Sequence, residues 1–273
     1  MLARRRRDIA RGAKAPAARG GATLREVRDF GANPGDLRML VHVPTALPAG
    51  APLVVVLHGC TQTAEGYVRG AGWATLADRF GFVVLAPEQA TSNNSNRCFN
   101  WWQPADVRRD SGEVASIRQM IARAVADHGL DADRVFVTGL SAGGAMTAAM
   151  LAAHPELFAG GAIIAGLPFG VADSLQQALG AMFQHKSRPA REWGDLVRRA
   201  SPHAGPWPRV SVWHGADDST VIPQNALESV KQWTDVHGLA EGGGRVEGDG
   251  RRSRRVWRDA SGREVVELSL IHI

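Results

Sequence analysis

Within Gly139-Leu140-Ser141-Ala142-Gly143 a serine stands two residues from a glycine on either side. A serine hydroxyl attacks a carbonyl carbon when a base removes its proton, an acid orients that base, and donors hold the oxyanion that forms. The spacing suits a sharp strand-to-helix turn, in which a Cβ two positions from the serine would collide with backbone. The flanks agree with such a turn. Val135–Thr138 is an apolar run of strand length, and the Ala/Met-rich stretch from Gly144 to Ala153 favours a helix. The N-terminus of that helix would favour negative charge at the reacting oxygen. G-x-S-x-G alone recurs by chance; set between a strand and a helix it points to acyl transfer by serine.

Such chemistry needs partners further along the chain. In sheets that carry a nucleophile elbow the order is Ser, then Asp or Glu, then His, each just after a strand. Asp218 follows the apolar run Val210–Trp213 by a short loop, and Asp217 competes with it because one residue reverses the direction of a side chain. The oxyanion donors are expected to be the backbone N–H of Ala142 and that of Cys60, in His58-Gly59-Cys60 directly after the run Leu53–Leu57. A plainer role for His58 and Gly59 is to close a tight turn. The base is the difficulty, since only His237 and His272 follow Asp218. His237 falls at the end of the next helix, and His272 is the penultimate residue. His214 precedes a turn glycine and reads as structural, while His42, His128, His154, His185 and His203 read as surface or packed residues.

The elements that must position these groups alternate along the chain. Strands are expected at Leu37–Val43, Leu53–Leu57, Phe82–Ala86, Val135–Thr138, Ala162–Ala165 and Val210–Trp213, with a last one beginning at Val265–Leu268. Helices are expected at 72–80, from Glu113 to His128, through 172–200 as a cap or insertion, and from Pro223 to Trp233. A tryptophan-containing loop spans Glu88–Arg109, and Gly242–Arg255 reads as a Gly/Arg-rich loop. Strand alternating with helix predicts an α/β fold, a doubly wound and mostly parallel sheet with helices on both faces. There is no internal repeat.

At 273 residues the chain can bury one α/β core, expected as a single domain over residues 23–273. Residues 1–22 are basic and then Ala/Gly-rich, and are expected to be disordered; no apolar stretch of signal-peptide kind stands there. No apolar run reaches the roughly 18 residues of a membrane span. Much of the net charge of +5 sits in Arg4–Arg7 and in Arg251, Arg252, Arg254 and Arg255, outside the motif-bearing core, so neither nucleic acid nor membrane is an expected partner. Cys60 and Cys98, the two cysteines, cannot make a metal site alone; they could form one disulfide or remain two thiols.

Taken together, Leu57–Gln62, Cys98–Trp102, Arg108–Glu113, Gly139–Gly144 and His214–Val221 resemble the polyhydroxybutyrate-depolymerase family of esterases, relatives of feruloyl and acetylxylan esterases. The resemblance covers about residues 35–268 and implies an α/β-hydrolase fold. It implies Ser141 as nucleophile, Asp218 as the triad acid and an oxyanion role for the Cys60 amide, with no metal or organic cofactor. It also implies a Cys60–Cys98 bridge and an extracellular location. Trp101 and Trp102 would serve as an apolar wall or platform for polymer or aryl esters, or else one would pack in the core with the other covering it. The expected partner is an ester: a polyhydroxyalkanoate oligomer or short-chain ester first, a feruloyl or acetyl ester second. The family closes with a Gly-x-Gly-His type segment whose histidine is the base, whereas this sequence reads Ser269-Leu270-Ile271-His272-Ile273. The family's histidine is therefore expected beyond residue 273, after a truncated frame, with His272 as a substitute. A catalytically inactive polymer- or glycan-binding protein on the same scaffold is the alternative of a different class.

Overall fold

A computed structural model describes residues 24–184, 186–248 and 252–271. The N-terminal segment 1–22, His185 and His272 lie outside the described residues. The strands are β1 (Arg25–Val27), β2 (Arg38–His42), β3 (Leu53–Leu57), β4 (Val83–Glu88), β5 (Val135–Leu140), β6 (Gly160–Ile164), β7 (Arg209–Gly215), β8 (Arg245–Gly248), β9 (Arg252–Arg258) and β10 (Glu264–Ile271). They form one sheet in the order β1-β2-β4-β3-β5-β6-β7-β10-β9-β8. The six inner strands β4, β3, β5, β6, β7 and β10 are parallel. Antiparallel strands extend the sheet on both sides. This is the mostly parallel α/β-hydrolase sheet that the sequence predicts.

The helices are α1 (Ala64–Gly70), α2 (Trp73–Phe80), α3 (Pro104–Val107), α4 (Gly112–His128), α5 (Ala142–Ala153), α6 (Leu175–Phe183), α7 (Ala190–Ala200) and α8 (Gln224–Val236). On one face Tyr67, Val68, Ala74 and Ala77 of α1 and α2 cover Val56 and Val84. On the other, α4, α5, α7 and α8 enclose the main core around Leu57, Leu85, Met146, Leu151, Trp193 and Trp233. Cover on both faces explains why the inner strands read as continuous apolar runs. Every residue of α5 is buried, which is why its sequence is apolar all round and shows no stripe.

Parallel strands send their carboxyl ends to one edge, and that edge gathers the residues singled out above. Leu57 pairs with Gly139, Leu140 with Ile164, and Ile164 with Trp213. Gly215 pairs with Ile271. Ser141, the loop after Leu57, the loop after Gly215 and the end of β10 therefore lie along one edge.

Two expectations are corrected. The segment Gly242–Arg255 is not a loop, since it holds β8 and most of β9. Its strands carry no apolar alternation because cross-strand charge holds them: Arg254 pairs with Glu247 at 2.7 Å, Glu264 at 2.5 Å and Glu267 at 3.2 Å. Of the two forms expected for residues 172–200, they are an insertion between β6 and β7 and do not stand off as one cap. α7 packs on α8 and α5 with Trp193 fully buried, while α6 leaves Leu175, Leu179 and Phe183 exposed.

A polar clamp closes the far end of α5. Arg109 donates to the Ala153 carbonyl at 2.6 Å and to both carboxylate oxygens of Glu156, and its own carbonyl lies 2.6 Å from His154 Nε2. Burial opposes ionisation of Glu156, but the bonds from Arg109 and His154 outweigh it and hold its pKa down to about 2. A depressed carboxylate stabilises the fold above its ordinary pKa near 4.5 and loses that contribution as pH falls toward 2. Arg109→Ala should therefore cost about 1 kcal/mol at neutral pH, with a deficit that shrinks on acidification. Thermal melts of both proteins at pH 7 and pH 3 would check this; an equal deficit at both would count against it.

Candidate active site

The chain can pass from β5 into α5 only through a strained residue. Ser141 takes φ 56° and ψ −117°, a conformation rare for a residue with a side chain. Its N–H donates to the Ile164 carbonyl and its carbonyl accepts from Ala145 N–H, each at 2.9 Å. The helix starts at Ala142, immediately behind the serine and not at Gly144 as expected. The Ala142 N–H is thus one of the first-turn donors that no carbonyl of the helix accepts. Glycine is required on both sides: a Cβ on Gly139 would lie 2.3 Å from the Gly143 carbonyl oxygen, and one on Gly143 would lie 2.2 Å from that of Leu57.

The loop after β3 passes directly over this turn. A Cβ on Gly59 would stand 3.6 Å from that of Ser141. His58 is fully buried, with Nδ1 2.8 Å from the Gly59 carbonyl and Nε2 accepting the Gln89 N–H at 3.1 Å. Those partners require the neutral ring protonated at Nδ1, and burial pushes the ring's pKa down. His58 therefore closes the turn. The Gly59 N–H donates to Gln62 Oε1 at 2.8 Å, and Thr61, at φ 64°, donates its N–H to Asn96 at 2.7 Å. A disulfide joins Cys60 to Cys98, so the turn is tied to the tryptophan loop. None of the hydrogen bonds among the described residues engages the Cys60 N–H.

At the end of β7 the two aspartates differ in their backbone bonds. Asp218 Oδ1 accepts from the N–H groups of Thr220 at 2.9 Å and Val221 at 3.0 Å, and its Oδ2 lies 3.5 Å from His214 Nε2. His214 Nε2 is also 2.7 Å from the Val221 carbonyl, so this buried ring braces the loop. Asp217 is exposed. The Ala216 N–H donates to the Ile271 carbonyl at 2.9 Å, which fastens the aspartate's loop to the last residue of β10. His237 is half-buried, with Nε2 3.1 Å from the Pro208 carbonyl, away from this edge.

The tryptophan pair is divided between two environments. Trp101 packs in the main core and Trp102 is half-buried, edge-on to it with ring centroids 5.5 Å apart. Below them lies a polar cluster that the sequence reading missed. Glu113 is completely buried and accepts from Gln89 Nε2 at 2.5 Å and from Asn100 N–H at 2.9 Å. Burial, reinforced by the charge of Asp106, pushes its pKa up to about 8. The one signal in the sequence was the density of Asn and Gln between residues 89 and 103, which reads equally well as an exposed loop.

The family model described as esterase PHB depolymerase matches residues 38–255. The chain belongs to that family. Among its curated relatives, poly(3-hydroxyalkanoate) depolymerase C of Paucimonas lemoignei is 45% identical over 249 residues, covering 91% of this chain and 60% of the relative. The chain thus spans under two thirds of that protein's length. Feruloyl esterase B of Thermothelomyces thermophilus is 34% identical, covering 80% of this chain and 76% of the relative. In three dimensions this PHB-depolymerase-family chain superposes on an acetyl xylan esterase from Aspergillus awamori with a TM-score of 0.85 at 28% identity, over 92% of both chains. Among the described residues no helix is long and apolar enough to cross a membrane, and no group of three or more His, Cys, Asp or Glu is arranged to hold a metal.

The close approach of Gly143 to β3 can be tested directly. Gly143→Ala should destabilise the protein by about 2–3 kcal/mol, because backbone and not a flexible side chain blocks the added methyl. Urea denaturation followed by circular dichroism measures this, and a change within error would show that the elbow can shift to make room.

Proposed function

We propose that the protein is a serine carboxylic-ester hydrolase. Ser141 Oγ attacks the ester carbonyl carbon while its proton passes to a base, and the N–H groups of Cys60 and Ala142 hold the oxyanion. Collapse breaks the ester C–O bond, the base returns the proton to the leaving alkoxide, and a water repeats the sequence to release the acid from the acyl-enzyme. Asp218 orients the base and offsets its positive charge. The observation that carries this reading is the strained Ser141 at the first turn of α5, with the Gly59–Cys60 turn lying over it.

The base must reach Ser141 from the edge where β10 ends, because there the chain lies beside the loop of Asp218. Polyester oligomers or short-chain esters are the leading substrates, in keeping with the depolymerase relative. Acetyl and feruloyl esters are the second reading, favoured by the close superposition on the acetyl xylan esterase. Trp102, half-exposed, is the candidate platform for either. The disulfide suits an extracellular location.

Ser141→Ala should abolish the p-nitrophenyl acetate turnover that the wild-type protein shows, and a fluorophosphonate probe should label Ser141 of the wild type. Retained turnover in the variant would refute the assignment, and a folded wild type that neither labels nor turns over ester would instead fit a binding protein. For the acid, Asp218→Asn should lower kcat on the order of 10⁴-fold, while Asp217→Asn should leave it near wild type. The reverse ranking would move the acid to Asp217.

A further inference from the structure

The polar cluster beneath the tryptophan loop contains a group that the mechanism above does not use. Glu113 opens α4 with no exposed surface, and a buried carboxylate is expensive wherever it serves packing alone. A methionine would fill the same space without that cost. Each of its hydrogen-bond partners is a donor: Gln89 Nε2, Asn100 N–H and, at 3.5 Å, Asn93 Nδ2. Gln89 in turn is fully committed. Its Nε2 also reaches the Cys98 carbonyl at 3.0 Å, its Oε1 accepts from Asn93 and Ala90, and its own N–H donates to His58 Nε2.

His58 passes the constraint to a single peptide group. Its Nδ1–H donates to the Gly59 carbonyl, and that carbonyl belongs to the same peptide plane as the Cys60 N–H. In a trans peptide the C=O and N–H point in opposite directions, so fixing one aims the other. We propose that Glu113 is a positioning residue for the oxyanion site: through Gln89 and His58 it orients the Gly59–Cys60 peptide, and through Asn100 it holds the tryptophan loop in register with it. The inference rests on the esterase reading above and adds a residue that touches neither substrate nor nucleophile.

Above its pKa of about 8 Glu113 only accepts, and Glu113→Gln keeps the shape of the side chain but places an N–H₂ among donors, so in assays run above that pH one of its contacts must break. Loss of one oxyanion donor costs about 10²–10³ in kcat, and misaiming it should cost about tenfold to hundredfold. The expected signature in p-nitrophenyl acetate hydrolysis is a fall of that size in kcat with KM little changed, per mole of folded protein. His58→Ala should do the same. The double variant should be no worse than the poorer single one, because both act on one peptide. Should Glu113→Gln fail to fold, Gln89→Met breaks the same relay at its middle and carries the same expectation.

A second measurement does not depend on turnover. The chain has two cysteines, so protein labelled with ¹⁵N-cysteine gives two amide signals, and the Cys60 signal should move in Glu113→Gln and in His58→Ala alike. Unchanged kcat together with an unmoved Cys60 signal would overturn the proposal, as would losses that multiply in the double variant. Turnover retained by Ser141→Ala would strike the esterase reading instead, and the Cys60 signal would still report on the relay.

Discussion

Where β3 ends and α5 begins, two backbones meet with no side chain between them. The carbonyl oxygens of Leu57 and His58 occupy the space that a Cβ on Gly143 would need. That contact brings the Gly59–Cys60 turn over Ser141 and holds the first turn of α5 against the end of the neighbouring strand. It also forces Ser141 into its strained conformation, because no relaxed φ/ψ would carry the chain from β5 into a helix lying so close. The rest of the carboxyl edge is arranged around this point: β6 accepts the Ser141 N–H, and β7 and β10 follow in register.

A strained turn persists only if its surroundings fix it more firmly than it can relax. Here the fixing is of two kinds. Above the sheet edge the Cys60–Cys98 bridge and the Thr61–Asn96 hydrogen bond close the turn covalently and by backbone. Beneath it, Glu113, Gln89 and His58 form a buried chain of polar groups linked by hydrogen bonds. Such chains are costly when half satisfied and rigid when complete. On the far side of the site, His214 does for Asp218's loop what His58 does for Gly59: a buried ring holds one carbonyl in place.

The strands that enter the core were legible because burial on both faces leaves an unbroken apolar run, as in Leu53–Leu57 and Val135–Thr138. The elbow was legible because steric exclusion of a Cβ leaves glycine as its mark. The β8–β9 hairpin was not, since its stability comes from Arg254 and its three carboxylates and not from apolar alternation. Spacing favours Asp218 over Asp217, but the two backbone N–H groups turned toward one Asp218 carboxylate oxygen exist only in three dimensions. Glu113 escaped notice for a related reason. A glutamate at the start of a helix is ordinary on a surface, and nothing local in the sequence says that this one faces inward.

The groups proposed for chemistry sit at strand ends, while a run of exposed apolar side chains lies on a separate insertion. α6, with Leu175, Leu179 and Phe183 exposed, is carried between β6 and β7. Its Met182 carbonyl accepts from the Ile222 N–H of the aspartate's loop and its Ala181 carbonyl from the Asn225 amide of α8, bonds that do not specify the outward-facing side chains. Selection can therefore rewrite that outer surface residue by residue without disturbing the strained turn or the buried relay. A scaffold divided in this way is suited to diversify its substrates while inheriting its reaction, and the depolymerase, feruloyl esterase and acetyl xylan esterase related to this chain carry names that differ in just that respect.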